Sequence, residues 1–409
     1  MGSEKVANGF FVRNRTIFSL SLTALMLAAT FDLFAGLIMV SMSDYLMIIP
    51  GLMILIYSAN GLRGNVFGAM GSRIGTAMHL GTFSISFKKG SVLRSNVEGA
   101  MALTMITSVV VGIVGWIIGV AFFSDQSPID IYMFIFISMM GALLAGLMVV
   151  VINMVIAYVG FKREWDVDNI TAPLIAAAGD VATVPTIFLA AWMCLNMDGI
   201  VIYVALTALL VLTLIMTGTI LMRKNRRRKK DEAKRIITES LPVLTVCIFI
   251  GILAGTIVET QTANLVAYPV LLVLLPAFLN QGNALSGILT SRFSTMMHMG
   301  TLGVRKYPPI ETYNNFAVNY VLGIITFAYV GVAAFLVSPQ TMPFHEVLLL
   351  VLTAGMLSAT VINLLSYYVA SAAVRFGLDP DDQSIPVTSS TMDVVNASII
   401  ISLIRLTLL

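Results

Sequence analysis

Long apolar runs separated by short polar stretches divide the chain, and the runs have the length of membrane-spanning helices. A helix that crosses the hydrocarbon layer of a bilayer needs about 20 residues, and eleven runs reach that length. The predicted spans are 16–40, 46–70, 100–123, 130–159, 169–192, 199–222, 236–258, 264–289, 315–337, 345–372 and 384–408. The second and the eighth contain proline and end in "SANGLRGN" and "FLNQGN", so we expect an unwound turn or a break there.

The composition agrees with this pattern. Of 409 residues, 58% are hydrophobic and 11% are charged, whereas soluble domains carry about 25% charged residues. The runs are continuous rather than alternating, which favours helices over the strands of a membrane barrel. We therefore predict an all-α integral membrane protein with about eleven transmembrane helices. The two cysteines show neither disulfide nor metal spacing, and we expect inert buried thiols.

Lysine and arginine alternate between the loops in a way that predicts the orientation of the chain. The loops after the odd-numbered spans contain neither residue, and the loops after the even-numbered spans are basic, with Lys88, Lys89, Arg94, Lys162, Arg163, the run "RKNRRRKK" (Arg223 to Lys230), Arg305, Lys306 and Arg375. Because basic loops stay in the cytoplasm, we predict a multi-pass protein of the cell membrane with a cytoplasmic N-terminus and an extracytoplasmic C-terminus. The basic run is then a topology signal, and we expect no nucleic-acid partner.

The two halves of the chain repeat each other. "SRIGTAMHLGT" (72–82) returns as "SRFSTMMHMGT" (291–301) at an offset of 219, which also relates Gly36 to Gly255. "DVDNITAPLIAAAGD" (166–180) aligns with "DPDDQSIPVTSSTMD" (379–393) at an offset of 213. We predict a five-helix repeat over 1–195, a linker helix with the basic loop over 196–235, and a second five-helix repeat over 236–409. An odd number of crossings before the second repeat makes the repeats parallel, about a pseudo-two-fold axis along the membrane normal, so that a monomer mimics a dimer.

Two aspartates occupy equivalent positions in the repeats. Asp180 and Asp393 lie well inside the fifth and eleventh spans, where an ionised carboxylate is costly unless a partner or water reaches it. If these helices line the axis, the two carboxylates meet a shared aqueous path, and a divalent cation is the partner that neutralises both. The alternative is that each aspartate is a protonated or hydrogen-bonded packing residue.

Further oxygen ligands are available at the polar ends of the second and eighth spans, at Asn65 and Asn283. Carboxylate, amide and backbone oxygens favour a hard cation such as Mg²⁺, which keeps much of its water when bound. The alternative for this region is close helix packing along a stripe of small residues, formed by Gly64, Gly68, Gly71 and Gly75.

Other polar residues allow two interpretations each. Asp32, inside the first span, is a second ion site or a coupling group, or else it is paired locally. Asp166 and Asp379 begin the repeated motifs before the fifth and eleventh spans, where they form an inner vestibule for cations or cap helix N-termini. Asn153 and Asn363 either join that vestibule or hold helices together as buried amides.

The repeated motifs resemble a known family. "GLRGN…SRIGTAMHLG", "QGN…SRFSTMMHMG" and "DNITAPLIAAAGD" resemble the membrane domains of the MgtE-type magnesium transporters and, more closely, solute-carrier family 41, which fuses two such domains in one chain. The resemblance implies a Mg²⁺ pathway between the repeats, with Asp180 and Asp393 at the ion site. Asp180 follows a glycine but Asp393 follows Met392, which implies an asymmetric site. The CBS domains through which MgtE senses Mg²⁺ are not expected here, so any gating must arise otherwise.

The sequence therefore predicts a divalent-cation transporter for Mg²⁺, with membrane lipid as its other partner. No nucleophile–base pair or phosphate loop is present, so we expect no enzyme. One alternative is a Na⁺- or H⁺-coupled Mg²⁺ exchanger that uses the same site, with Asp32 as the coupling residue. An alternative of another class is a membrane scaffold that transports nothing.

Overall fold

The computed structural model describes residues 15–84, 86–88, 90–123, 130–163, 172–223, 231–377 and 385–408. Within these ranges the chain forms thirteen helices and no strand. They are α1 (Arg15–Ser41), α2 (Ser43–Ile48), α3 (Leu52–His79), α4 (Val92–Phe123), α5 (Ile131–Lys162), α6 (Ala172–Asn196), α7 (Gly199–Leu221), α8 (Glu232–Glu259), α9 (Thr262–Ala267), α10 (Pro269–His298), α11 (Ile310–Val337), α12 (Phe344–Phe376) and α13 (Ile385–Leu408).

Eleven of these helices are long, and each corresponds to one predicted span. The other two, α2 and α9, are six-residue elbows that precede α3 and α10. Ten long helices are apolar enough throughout to cross a membrane. The eleventh, α3, has 28 residues and is long enough at about 1.5 Å per residue, but it carries arginine, asparagine and several glycines. The prediction of an all-α membrane protein is confirmed.

The second and eighth spans are interrupted, as expected, but at their proline ends, where the elbows α2 and α9 meet α3 and α10, and not at the Gly/Asn-rich stretches. Helix α3 continues through "SANGLRGN" and α10 continues through "FLNQGN" without an interruption in the backbone ladder. No backbone carbonyls are therefore freed at these stretches for an ion. Both helices are largely enclosed by others, and the requirement that a buried backbone satisfy its own hydrogen bonds overrides the low helix propensity of glycine and asparagine.

The first long helix of each repeat packs against a helix of the other repeat. Helix α1 packs against α10 of the other repeat, and α8 packs in the equivalent way against α3. A Cβ on Gly36 would lie 2.2 Å from the Val273 carbonyl oxygen, and a Cβ on Gly255 would lie 2.7 Å from the Ile54 Cα. The offset of 219 relates Gly36 to Gly255 and Ile54 to Val273. Such reciprocal contacts are those of a two-fold interface, and glycine is needed because the backbones approach so closely.

The Glu259 side chain joins α8 to α3 by hydrogen bonds at one end of this interface. Helix α3 begins after Gly51, whose φ of +87° is in the left-handed region that glycine tolerates. The Glu259 carboxylate, at the end of α8, accepts hydrogen bonds from the Gly51 N–H at 2.8 Å and the Met53 N–H at 3.1 Å. Those N–H groups belong to the first turn of α3, which has no intrahelical acceptor for them. The carboxylate therefore caps a helix of the opposite repeat.

Candidate ion site between the repeats

The two repeated aspartates occupy the same position in the last helix of each repeat. Asp180 is the ninth residue of α6, and Asp393 is the ninth residue of α13, so each lies about 12 Å along its helix. The Asp180 side chain is buried and the Asp393 side chain is half-buried. The two carboxyl groups lie close enough to interact electrostatically. Two carboxylates buried in one helix bundle repel each other, and a bound cation or a proton relieves that repulsion.

A third carboxyl group joins Asp180 from the first helix. Asp32 of α1 is fully buried, and its carboxyl group contacts that of Asp180. The Asn280 side chain of α10 donates a hydrogen bond from Nδ2 to Asp32 Oδ2 at 2.8 Å. The interpretations of Asp32 as a local pair and as part of the ion site therefore describe one arrangement, in which a single amide N–H holds the carboxylate beside Asp180.

Helix α10 also holds Asp393. The Asn283 amide donates from Nδ2 to Asp393 Oδ1, and Asn280 and Asn283 share a helix face because they are three residues apart. The other Asp393 oxygen faces Gly61 of α3, where an added Cβ would lie 2.9 Å from Oδ2. One face of α10 thus orients carboxylates from two different helices, α1 and α13.

Several buried side-chain oxygens on the helices that carry or contact these carboxyl groups receive no hydrogen bond from any described residue. They are Asp32 Oδ1, Asn60 Oδ1, Gln281 Oε1, Asn283 Oδ1 and Asn396 Oδ1. A buried acceptor left without a donor costs about 1–3 kcal/mol, and its natural partner is water or a cation. Carboxylate and amide oxygens are the donor set of Mg²⁺ and Ca²⁺. The described residues contain no cluster of three His, Cys, Asp or Glu side chains in metal-cage geometry, so a cation here would keep much of its water.

The remaining predicted residues divide into three groups. Asn65 is engaged rather than free: its Nδ2 donates to Ser390 at 3.2 Å, and its Oδ1 accepts from Ser389 at 2.9 Å. Asp166 and Asp379 lie outside the described residues. Asn153 donates to the Phe67 carbonyl at 2.6 Å and thereby joins α5 to α3, as the interpretation of a buried amide between helices predicts.

Asn363 also joins two helices: its side-chain oxygen accepts a hydrogen bond from Asn319 at 2.9 Å and thereby links α12 to α11. The glycine stripe of α3 contributes less than expected to close packing, because an added Cβ on Gly64 or Gly68 would meet no atom within 4 Å. Close approach occurs instead at Gly282, where an added Cβ would overlap the Asn396 side chain.

Sequence reasoning missed Arg63 and Asn280. Arg63 is 3% exposed and interacts electrostatically with Asp180. The signal was present, since an ionisable residue inside a span is a candidate functional residue whatever its sign. Asn280 carried no such signal, because only the crossing of α1 and α10 brings it to Asp32.

Comparison with known proteins gives matches over most of the chain. The family model described as "MgtE: Divalent cation transporter" matches twice, over residues 56–190 and 275–403, and each match contains one aspartate of the pair. Solute carrier family 41 member 2 of Macaca fascicularis is 25% identical over 381 residues, with 85% of this chain and 62% of that protein aligned. Member 3 of Rattus norvegicus is 21% identical over 373 residues, with 87% and 78% aligned. The chain thus spans less than two thirds of the length of member 2. No solved structure matches it.

Proposed function

The chain belongs to the family of MgtE-type divalent cation transporters, together with solute-carrier family 41, and from this premise we propose that it carries Mg²⁺ across the membrane between its two repeats. The observation that carries the proposal is the group of three carboxyl groups, Asp32, Asp180 and Asp393, together with the Asp32 and Asn283 oxygens that receive no hydrogen bond from a described residue. A divalent cation removes both the repulsion and the unmet acceptors.

In this proposal the ion enters largely hydrated and contacts the carboxylates through few direct bonds. Mg²⁺ releases its water reluctantly, and a loose group of carboxylate and amide oxygens suits a hexahydrated or partly hydrated ion better than a tight cage does. Asn280 and Asn283 orient Asp32 and Asp393 through their amide N–H groups and leave the free Asn283 oxygen as a further ligand. The rest of the proposal is a cytoplasmic N-terminus, an extracytoplasmic C-terminus and a monomer built as a fused dimer of repeats 1–195 and 236–409.

The test is uptake of Mg²⁺ into sealed liposomes that contain the purified chain. Asp180→Asn and Asp393→Asn keep the side-chain volume and remove the charge, so each is expected to lower uptake at least about tenfold, and the double variant is expected to abolish it. Asp198→Asn is the matched control, because Asp198 is exposed at the start of α7 and its side chain caps no helix N–H. Undiminished uptake by the double variant would refute the proposal.

Coupling to a monovalent ion is a second candidate, favoured by the contact between Asp32 and Asp180. A proton or Na⁺ that binds Asp32 would compete directly with a divalent ion at Asp180. Uptake measured without a Na⁺ gradient and at clamped pH separates the mechanisms, because an exchanger stalls under these conditions and an uncoupled pathway does not.

A further inference from the structure

Arg63 is a buried cation at the candidate ion site. It lies near the middle of α3, is 3% exposed, and interacts electrostatically with Asp180. Its Nε and Nη1 atoms have no hydrogen-bond acceptor within the described part of the chain. A guanidinium remains charged in proteins, so a positive charge is fixed beside the carboxylates whether or not an ion is bound.

The space beside Arg63 lies within the first repeat. A small, partly open recess with about 20 Å³ of free space lies between α3, α4 and α5, and its polar lining consists of Arg63, Thr104, Thr107, Ser108 and Ser138. The Thr104 hydroxyl has no partner among the described residues. These hydroxyl oxygens can accept hydrogen bonds from the guanidinium.

The second repeat has lost both features. The offset of 219 places Gly282 at the position of Arg63 and Phe327 at the position of Ser108. The Phe327 ring packs against Phe278, with centroids 5.1 Å apart, and against Gly355. An aromatic side chain therefore fills the space that borders the arginine in the first repeat. The first repeat thus has an arginine and a polar recess at positions where the second repeat has a glycine and a phenylalanine, which indicates a specific role in the first repeat.

The number of charges at the site indicates that Arg63 sets how tightly a divalent ion is held. With all three carboxylates ionised, Arg63 leaves two negative charges uncompensated, which matches the charge of one divalent ion. Without Arg63 there would be three, and the ion would be held more tightly, because Coulomb interactions inside a protein are only weakly screened. Transport requires binding that is strong enough for entry and weak enough for release.

We propose that Arg63 is an affinity-setting counter-cation of the Asp32–Asp180–Asp393 cluster, which weakens divalent binding enough for the ion to leave. This inference rests on the proposed function. Arg63 competes with the incoming ion for Asp180 and returns to it after release. The second repeat needs no such residue because one guanidinium suffices for the shared site.

The experiment uses the purified full chain and Mg²⁺ alone, with half-saturation and maximal rate of liposome uptake as readouts. Arg63→Gln is expected to lower the half-saturating Mg²⁺ concentration at least about tenfold and to lower the maximal rate, because release becomes limiting. Arg63→Lys keeps the charge and is expected to retain the wild-type half-saturation. Arg73→Gln is the matched control on the same helix, where the arginine donates to Asn96 at 2.9 Å.

A charge-restoring double variant covers the case in which Arg63→Gln does not fold. Asp32→Asn alone removes a negative charge and is expected to raise the half-saturating concentration about tenfold. Adding Arg63→Gln restores the net charge and is expected to return the value to within about threefold of wild type. A double variant that behaves like Asp32→Asn, or an Arg63→Gln protein with unchanged kinetics, overturns the inference. Absence of Mg²⁺ uptake by the wild type instead overturns the proposed function.

Discussion

A methyl group added at Gly36 tests the packing of α1 against α10 of the other repeat and its link to the ion site. In Gly36→Ala the new Cβ would lie 2.2 Å from the Val273 carbonyl oxygen, whereas ordinary contact begins near 3.4 Å. Helices α1 and α10 must then separate by about 1.2 Å, the difference between these distances. Overpacking of this kind costs about 1–3 kcal/mol, or roughly 1–4 °C in unfolding temperature for a chain of 409 residues.

The same separation of α1 from α10 is expected to disturb the candidate ion site. Asp32 lies one helical turn before Gly36, and its 2.8 Å hydrogen bond from Asn280 crosses the same pair of helices. A displacement of about 1.2 Å stretches that bond beyond the range of a hydrogen bond. Gly36→Ala is therefore expected to lower Mg²⁺ uptake in liposomes as well as the unfolding temperature in detergent.

The chain supplies its own matched controls. Gly255 is the repeat equivalent of Gly36, and Gly255→Ala is expected to destabilise similarly, because its Cβ would lie 2.7 Å from the Ile54 Cα. Gly68 and Gly287 are another equivalent pair, and a Cβ on either meets nothing within 4 Å. Alanine there is expected to be neutral or slightly stabilising. If Gly36→Ala unfolds at the same temperature as Gly68→Ala, the close crossing of α1 and α10 is wrong.

Two further predictions concern the ends of helices. Glu259→Ala leaves the Gly51 and Met53 N–H groups without their acceptor and is expected to cost about 1–3 kcal/mol. Glu259→Gln keeps one acceptor oxygen and should cost less, and equal unfolding temperatures for both variants and the wild type would contradict the cap. Glu98 accepts hydrogen bonds from Arg94 at 2.6 Å and from Arg223 at 2.5 Å, which ties the end of α7 to α4. Because these groups are partly exposed, Glu98→Gln is expected to cost at most about 1 kcal/mol, and less in 1 M salt; a salt-independent loss would argue against an electrostatic origin.

The sequence by itself determined the helices, the repeat and the aspartate pair. In a membrane each backbone polar group must be satisfied locally, so an apolar run of sufficient length has little choice but to form a helix. The eleven predicted spans are accordingly the eleven long helices. The same constraint explains why no break occurs at the Gly/Asn-rich stretches, because Gly64 and Asn65 would have unwound a solvent-exposed helix but remain helical inside the bundle.

Only the tertiary structure decided which helices meet. Apart from Asp32 and a few hydroxyl residues, helix α1 is apolar, so its sequence does not indicate which face meets which partner, and the choice of α10 depends on the fit of Gly36 against Val273. That crossing brings Asn280 to Asp32 across 248 residues of chain. The packing of α3 against α6 likewise makes Arg63 a buried cation beside Asp180 rather than a basic residue at a helix end. Lateral packing in a membrane depends on shape complementarity between distant segments, which no local pattern records.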